Sequence, residues 1–365
     1  MSTVWLVKVE PGTETGRDTQ ARTPWRSVDK TSLLTLTEYR LRSHCVDRLP
    51  SVMSAPMFAE VEMVTRLGGP IVDCVEWLQE HNLLATNMDC LNCAGDVEME
   101  FVPRRDISDK FTWRCPTAAC RTSRSIRTGS IFAQFPKIDL RVWLRFIVKW
   151  TEGKLVKDIQ QELRVIGSVS EHTLCKMCKE LRDVCERNLI IVPVIPMGGP
   201  GTVLQMDESV FRKKPKFRRG RRARPIWIFG MVRTDITPCI GYMEVVDRRN
   251  ADTLLPIIER CVLPNSTLYS DEWSAYRNVG NLPNVSRHYT VNHSRHFVDP
   301  QTGIHTQNIE SYWSRKKEKL KAMHGCFGRD LHSYIQELLW RERYCLTPHE
   351  GFQNFIEEIS EQFRV

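Results

Sequence analysis

The chain has 365 residues, 41% of them hydrophobic, which is enough for two or three domains with buried cores. Its 52 Lys and Arg outnumber its 44 Asp and Glu, but nine of the basic residues lie between residues 212 and 224, where there is no acid. The rest of the chain is therefore close to neutral, which excludes a uniformly basic protein. With no apolar run of about 18 residues and no signal peptide, we expect a soluble intracellular protein without a membrane partner.

The first 58 residues mix Thr, Ser, Pro and charges of both signs, and no fold or role is assigned to them. A helical pattern follows, in which apolar residues recur at i, i+3, i+4 and i+7 from Ile71 to Leu78. The sequence therefore predicts a helix that leads into the next element.

Two cysteine pairs come next. Cys90 and Cys93 precede Cys115 and Cys120 by 21 residues, with extended segments between the pairs. Tetrahedral Zn²⁺ takes four thiolates from two such turns, so the spacing predicts a zinc ribbon with a structural Zn²⁺, and residues 59–134 are assigned to the helix plus this ribbon. The four-residue gap in the second pair is longer than the usual two, and unliganded thiols are the alternative. Thirteen cysteines in a chain without a secretory signal favour thiols and metal ligands over disulfides.

Residues 137–190 show three apolar stripes at helical spacing, which predict three helices. Ser170 is the predicted N-cap of the third helix, whose Glu171, His172, Lys176 and Lys179 lie on its polar face. A short helix, a turn and a longer helix suit a DNA-binding helix-turn-helix, whose second helix enters the major groove. A small helical bundle without groove contacts fits the same residues equally well.

A Pro- and Gly-rich segment, residues 191–202, is predicted to be a linker. After it, three consecutive strand patterns are followed by alternating helices and strands. This order predicts a ribonuclease-H-like catalytic domain over residues 203–345, and hence a mixed α/β protein. Residues 346–365 are assigned as a C-terminal tail.

Three acidic residues of this domain lie where carboxylates can converge. Asp207 and Asp271 end the first and fourth predicted strands, and Glu310 lies at the edge of the buried stripe of a late helix. Three such carboxylates can hold two Mg²⁺ or Mn²⁺ ions, which activate water or a 3′-hydroxyl in phosphodiester chemistry. Spacing alone does not establish the site, because 44 acidic residues form many triples, and ordinary surface acids are the alternative.

The sequence around each acid resembles a known family. The motifs are QMDES (205–209), YSDEWSAY (269–276), VNHS (291–294), HTQNIESYW (305–313) and WRER (340–343). In this order they resemble the motifs of DDE transposases of the Merlin type and of bacterial insertion-sequence relatives with an N-terminal zinc ribbon, over about residues 70–345. The resemblance implies Asp207, Asp271 and Glu310 as the catalytic, metal-binding triad. Asn308 is a lesser candidate for the third ligand, because some members carry Asn there.

The resemblance also implies an activity. It indicates a DNA transposase that binds terminal inverted repeats and target DNA, cleaves and joins strands with two Mg²⁺ or Mn²⁺ ions, and acts as a homo-oligomer. Its expected location is the nucleus in a eukaryote and the cytoplasm otherwise. One alternative is a domesticated DNA-binding or regulatory protein that keeps the fold without transposition, and another is a metal-dependent nuclease without strand transfer.

Basic residues near the three acids are predicted to contact DNA, where they would add salt-dependent affinity without sequence preference. They are Arg212, Lys213, Lys214, Lys216, Arg218, Arg219, Arg221, Arg222 and Arg224 after the first strand, and Arg315, Lys316 and Lys317 on the late helix. A nuclear-import signal or a solvated surface is the alternative for these residues. Trp273, Tyr276 and Trp313 are expected in the core, and His293 and His305 are expected to be hydrogen-bonded structural residues.

Overall fold

The computed structural model describes residues 69–93, 95–191, 195–211, 225–292 and 298–365. All of them belong to one compact unit of the chain. The unassigned segment 1–58, the predicted DNA contacts from Arg212 to Arg224, and His293 lie outside the described residues. Within the described part, no helix combines the length and the apolar character that crossing a membrane requires.

The described residues between 69 and 125 form one helix and a small sheet. Its elements are helix α1 (Ile71–Glu80) and strands β1 (Glu100–Pro103), β2 (Phe111–Arg114) and β3 (Ser123–Ser125). The strands pair antiparallel in the order β1-β2-β3. Arg127 and Asp109 form a buried ion pair with an Nε–Oδ2 distance of 2.7 Å, which joins the β1–β2 connection to the segment after β3.

Three helices follow, as the apolar spacing predicts. They are α2 (Leu140–Thr151), α3 (Val156–Leu163) and α4 (Glu171–Ile191). The predicted N-cap of α4 is confirmed, because Ser170 Oγ accepts a hydrogen bond from the backbone N–H of Thr173 at 3.1 Å. The four polar residues predicted on the outer face of α4 are exposed.

The rest of the chain is built around a five-stranded sheet. The strands from here on are β4 (Met197–Gly198), β5 (Val203–Phe211), β6 (Ile226–Arg233), β7 (Gly241–Val246), β8 (Val262–Leu263), β9 (Ser266–Asp271) and β10 (Val285–Val291). The large sheet has the order β10-β9-β5-β6-β7, and β4 pairs with β8 separately. β6 pairs antiparallel with β5 and β7, whereas β9 pairs parallel with β5 and β10. Three antiparallel strands followed by two parallel ones form a ribonuclease-H-like sheet in a mixed α/β protein, as predicted.

Helices cover both faces of this sheet. They are α5 (Ala251–Cys261), α6 (Gln307–Ala322), α7 (Leu331–Tyr344) and α8 (Pro348–Gln362). On one face, Met206 and Leu268 share a core with Ile258 of α5. On the other face, Ile228 packs in a second core with residues of α6, α7 and α8. Alternate residues of the strands thus face different helices, as the pleat requires.

The second core also includes the helices before the predicted linker. Arg182 of α4 donates to Ser333 Oγ of α7 at 3.1 Å. Arg341 of α7 donates to the carbonyl oxygens of Trp150 and Thr151 at the end of α2, at 2.6 and 2.9 Å. The helical region 137–190 and the sheet region 203–345 therefore pack together directly, although the sequence divides them into separate domains at residues 191–202.

The segment that the sequence assigns only as a C-terminal tail is largely helical. Helix α8 begins after Thr347, whose hydroxyl accepts from the backbone N–H of Glu350 at 3.2 Å. Phe355, Ile356 and Ile359 recur at helical spacing and are buried in the second core. Residues 346–365 are thus part of the packed structure and not a free extension of it.

Glu337 of α7 is a buried carboxylate between two cations. Its side chain is 1% exposed, and Arg341 Nε donates to its Oε1 at 2.8 Å. Lys319 of α6 donates to the same oxygen. Burial by itself would raise the pKa of Glu337, but the two cations outweigh burial and lower it to about 2. The ion cluster therefore fixes α7 to α6 and, through Arg341, to α2.

Candidate active site

Asp207 and Asp271 lie on neighbouring parallel strands and on the same face of the sheet. The pairing of β5 with β9 ends at Gln205 and Tyr269, and each aspartate follows its strand's last paired residue by two positions. Residues two apart in a strand face the same side, so both aspartates share the face of Gln205.

Asp271 ends β9 as predicted, but the predicted strand end at Asp207 was wrong. β5 continues to Phe211, because its antiparallel pairing with β6 extends to that residue. Asp207 therefore lies inside a strand, just beyond the point where β5 and β9 cease to pair. The backbone of Asp207 is thus paired with β6 and lies beyond the residues that pair with β9.

Helix α6 is fixed to this face by three contacts one helical turn apart. Gln205 Oε1 accepts from the backbone N–H groups of Asn308 and Ile309, at 2.9 and 3.1 Å. Trp313 Nε1 donates to Asp207 Oδ2 at 3.1 Å, and Lys317 Nζ donates to Ser209 Oγ at 2.5 Å. Together with the Gln205 contact, these are the three α6–β5 contacts. Two strand residues advance about 6.6 Å and four helical residues about 6 Å, so strand and helix stay in step along these contacts.

Glu310 lies between the first and second of the α6–β5 contacts. It is exposed in the first turn of α6, three residues before Trp313. Positions i and i+3 are neighbours on a helix, so Glu310 lies on the same side of α6 as Trp313, whose indole contacts Asp207. Among the described residues, the oxygens of the three acids do not form a group within 4.8 Å of one another, unlike the cysteine sulfurs described below.

Gly230 makes room for the Trp313 indole. It pairs with Asp207 across β5 and β6, and a Cβ at this position would lie 2.5 Å from Cη2 of Trp313. Any side chain at residue 230 would therefore push the indole away from the strand. Trp313 is buried, as predicted, but its hydrogen bond to Asp207 is a role that the sequence pattern does not show.

Glu208, next to Asp207, belongs to the opposite face. Its Oε1 accepts a hydrogen bond from the Tyr276 hydroxyl at 2.7 Å. Burial raises the pKa of Glu208 to about 7; the Tyr276 hydrogen bond opposes this rise, and the charges of Asp207 and Asp271 add to it. The sheet thus separates the candidate site from a buried carboxyl group on its other side.

The basic residues predicted on α6 differ in their availability. Arg315 is exposed and donates to the carbonyl oxygen of Cys239 at 2.6 Å. Lys316 forms an ion pair with Glu342 in which both side chains are largely buried. Lys317 is held by Ser209, and burial lowers the pKa of its ammonium group. Arg315 is therefore the most accessible of the three predicted DNA contacts on this helix.

His305 has the structural role that the sequence predicts. Its Nδ1 accepts from the backbone N–H of Gln307 at 3.3 Å, and its carbonyl oxygen accepts from Gln205 Nε2 at 2.8 Å. The residue thus closes the N-terminus of α6 and links it to the strand that carries Asp207.

The four predicted cysteine ligands converge in the ribbon. Cys90 Sγ lies 3.6 Å from Cys120 Sγ, Cys93 Sγ lies 3.6 Å from Cys115 Sγ, and all four sulfurs lie within 4.8 Å of one another. A Zn–S bond of about 2.3 Å gives a tetrahedron with edges of about 3.8 Å, so these distances fit a tetrahedral thiolate site. The Thr122 hydroxyl, 3.1 Å from Cys120 Sγ, lowers the pKa of that thiol, whereas the neighbouring cysteine sulfurs and burial raise the pKa of Cys93.

Comparison with known proteins gives matches in sequence and in structure. Residues 200–343 match the family described as ISXO2-like transposase domain. A transposase-like protein of Haemophilus influenzae is 33% identical over 103 residues, which are 28% of this chain and 80% of the relative. The catalytic core domain of BIV integrase is 18% identical with a TM-score of 0.27, over 42% of this chain and 93% of that chain. A chain in the simian T-cell lymphotropic virus intasome structure with PP2A regulatory subunit B56 gamma is 12% identical with a TM-score of 0.28; the match covers 42% of this chain and about half, 52%, of that one.

Proposed function

The chain belongs to the family of ISXO2-like transposases, and on that premise we propose that it cleaves and joins DNA strands at the ends of a transposon. The observation that supports this activity best is the common face of Asp207 and Asp271, against which the Glu310 helix is fixed by the three α6–β5 contacts. A domesticated regulator that has lost the chemistry is not favoured, because all three acids are present.

The three carboxylates fit hard divalent cations, which prefer oxygen ligands. Asp207, Asp271 and Glu310 would hold two Mg²⁺ or Mn²⁺ ions. When bound, these ions would activate the attacking water or 3′-hydroxyl and neutralise charge at the leaving oxygen. The protein's own contribution is to hold the carboxylates in place: Trp313 donates to Asp207, and the backbone N–H of Trp273 donates to Asp271 Oδ1 at 2.9 Å.

The N-terminal parts supply DNA binding in this proposal. The zinc ribbon in the region 59–134 would hold Zn²⁺ on Cys90, Cys93, Cys115 and Cys120, and the helices of region 137–190 would act as a helix-turn-helix. Lys176 and Lys179, exposed on α4, would lie against the DNA of the terminal inverted repeats. Arg315 and the basic segment 212–224 would contact phosphates of the transposon end or the target. Related enzymes pair two DNA ends, so we propose a homo-oligomer, and the bacterial relative favours a cytoplasmic location.

Cleavage of transposon-end DNA by the full chain with Mn²⁺ tests this activity. We expect Asp271→Asn to lower strand cleavage at least about 100-fold while DNA affinity stays unchanged, because the carboxylate acts on the chemistry and not on binding. Asp252→Asn is the matched control, since Asp252 is an exposed acid of α5. Cleavage that persists in Asp271→Asn would remove the catalytic assignment. Joined products then separate a transposase from a simple nuclease.

A further inference from the structure

We propose that Arg249 is a positioning residue for Asp271 and acts through Trp273. This inference rests on the proposed metal-dependent function of the acids. It concerns two side chains besides the three acids: Arg249, which no sequence motif marks, and Trp273, which the sequence predicts in the core. The prediction for Trp273 is wrong, because this residue is 38% exposed.

Trp273 joins Asp271 to Arg249 by two hydrogen bonds. Its backbone N–H donates to Asp271 Oδ1 at 2.9 Å. Its indole Nε1 donates to the carbonyl oxygen of Arg249 at 3.0 Å. The orientation of the Asp271 carboxylate therefore depends on the position of residue 273, and that position depends on the segment that contains Arg249.

The Arg249 guanidinium fixes the other side of this contact. Its Cζ lies 3.6 Å from the centroid of the Trp227 ring and 4.6 Å from that of the Trp273 ring. A planar guanidinium can stack on an aromatic face, which an ammonium group does not reproduce. Arg249 thus links Trp273, which follows β9, to Trp227 in β6, a strand of the packed sheet.

The third contact of Arg249 leads back to β5. Its Nη1 lies 3.9 Å from Glu208 Oε2, and the side chain of Glu208 is only 3% exposed. Arg249 therefore contacts a residue close to each aspartate: Glu208, which follows Asp207, and Trp273, two residues after Asp271. These contacts fix the Trp273 side chain although it is not buried in the core.

Arg249→Lys tests the inference. The variant keeps a positive charge near Glu208 but loses the planar stack on both indoles. The measurement is Mn²⁺ binding to the full chain without DNA. The electron paramagnetic resonance signal of free Mn²⁺ reports how much of the ion remains unbound. We expect about tenfold weaker binding, the lower end of what the loss of an outer partner of a metal ligand costs. The Mn²⁺ concentration for half-maximal DNA cleavage should rise by a similar factor, while the rate at saturating Mn²⁺ stays within about twofold.

Arg187→Lys is the matched control. The Arg187 guanidinium also stacks on an aromatic ring, with Cζ 5.4 Å from the centroid of Phe363, and it hydrogen-bonds to Gln362 Oε1 at 2.6 Å. It joins α4 to the chain end and does not contact the acids. We expect this variant to leave Mn²⁺ binding unchanged, so an equal loss in both variants would show a general structural effect and overturn the inference.

Trp273→Phe keeps the inference testable if Arg249→Lys does not fold. This variant retains an aromatic face and the backbone N–H but loses the indole donor, and we expect weaker Mn²⁺ binding than in the wild type. Wild-type affinity in a folded Arg249→Lys, or in Trp273→Phe when the lysine variant is unfolded, overturns the inference. If the wild type binds Mn²⁺ but does not cleave DNA, the proposed function fails, while the binding comparison still decides the role of Arg249.

Discussion

Trp313 and Asp207 are joined by a hydrogen bond of 3.1 Å from the indole nitrogen to the carboxylate, across 106 residues of sequence. The contact orients one of the two aspartates with a side chain from the helix that carries the third acid. A hydrogen bond to a charged group contributes about 1.5–3 kcal/mol, so its loss is large enough to affect the site.

Trp313→Phe should lower metal-dependent DNA cleavage about tenfold and the free energy of unfolding by about 1.5–3 kcal/mol, because phenylalanine keeps an aromatic ring but has no donor for Asp207. Cleavage rates and thermal unfolding measure the two effects. Trp143→Phe is the control, because Trp143 is fully buried and its indole nitrogen has no hydrogen-bond partner among the described residues. Equal cleavage by wild type and Trp313→Phe would show that this hydrogen bond does not matter for the site.

Gly230→Ala should destabilise the fold by about 1–3 kcal/mol, because the new Cβ would overlap the Trp313 ring. The overlap involves Cη2 and Cζ2, which phenylalanine lacks at those positions. The double variant Gly230→Ala/Trp313→Phe should therefore lose less free energy of unfolding than the sum of the single losses. Urea denaturation measures all three variants, with Gly280→Ala as the control because the added methyl group meets only an ordinary contact there. Additive losses would contradict the direct clash.

Removal of zinc from the four cysteines should destabilise the ribbon. Cys90→Ser should abolish stoichiometric zinc and lower the melting temperature by at least about 5 °C, because the binding free energy of a structural metal contributes to folding. Metal analysis and thermal unfolding check both effects, and a strong chelator should act on the wild type in the same direction. Cys175→Ser, an exposed cysteine of α4, is the control. A wild type without zinc would refute the ribbon assignment.

Low pH should lower the free energy of unfolding, because it protonates Glu337. The pKa of this carboxyl falls from an ordinary 4.5 to about 2 on folding, so ionised Glu337 contributes about 3 kcal/mol at neutral pH. A lowered folded pKa means that this contribution is present above about pH 4.5 and is lost as the pH falls toward 2. Wild-type stability, measured by urea denaturation, should therefore fall across this range.

Glu337→Gln should be less stable at pH 7 by about 3–5 kcal/mol, since it leaves Lys319 and Arg341 without their buried partner. Its stability should also change less between pH 5 and pH 3 than that of the wild type. Glu318→Gln, at an exposed position of α6, is the control and should keep the wild-type slope. The same slope in Glu337→Gln would contradict the assigned pKa.

The basic segment 212–224 should govern the salt dependence of DNA binding. Replacing Arg218, Arg219, Arg221 and Arg222 by glutamine should reduce the slope of log K against log salt by about 3 to 4, if each arginine contacts one phosphate. Binding titrations at several salt concentrations measure the slope. Arg329→Gln, with a side chain 81% exposed, is the single-charge control and should change the slope little. An unchanged slope in the fourfold variant would exclude the segment from the DNA interface.

The local patterns of the sequence predicted the elements and the broad fold. Alternation and helical spacing are properties of neighbouring residues, so the three helices of 137–190 and the five-stranded sheet were predicted from them. The cysteine cluster was predicted for the same reason, because each of its turns is a short segment. The order of strands placed Asp207 and Asp271 near one another, although the length of β5 was predicted wrongly. That length depends on pairing with β6, which the residues of β5 do not show by themselves.

Contacts between distant residues were not predictable in the same way. The bonds of Trp313 to Asp207 and of Glu337 to Lys319 depend on how far a helix is rotated on its neighbour. The stack of Arg249 on Trp227 and Trp273 depends on where two connections meet. Composition favours aromatic residues in the core, so Trp273 was expected there. Hydrogen bonds and the guanidinium stack fix its indole instead of burial. No local sequence pattern distinguishes a tryptophan fixed in this way from a buried one.

Arg341 connects the end of α2 to the helix that holds Glu337, and this contact affects the spacing between bound and cleaved DNA. If a flexible linker joined a DNA-binding region to a cleavage site, many spacings between the recognised bases and the cleaved bond would be tolerated. Because Arg341 bonds α7 to the end of α2, the proposed DNA-binding helices and the proposed cleavage site should keep a constant separation. Insertion of one base pair between the bound repeat and the cleavage point should shift the cut within the DNA sequence while its distance from the bound repeat stays constant.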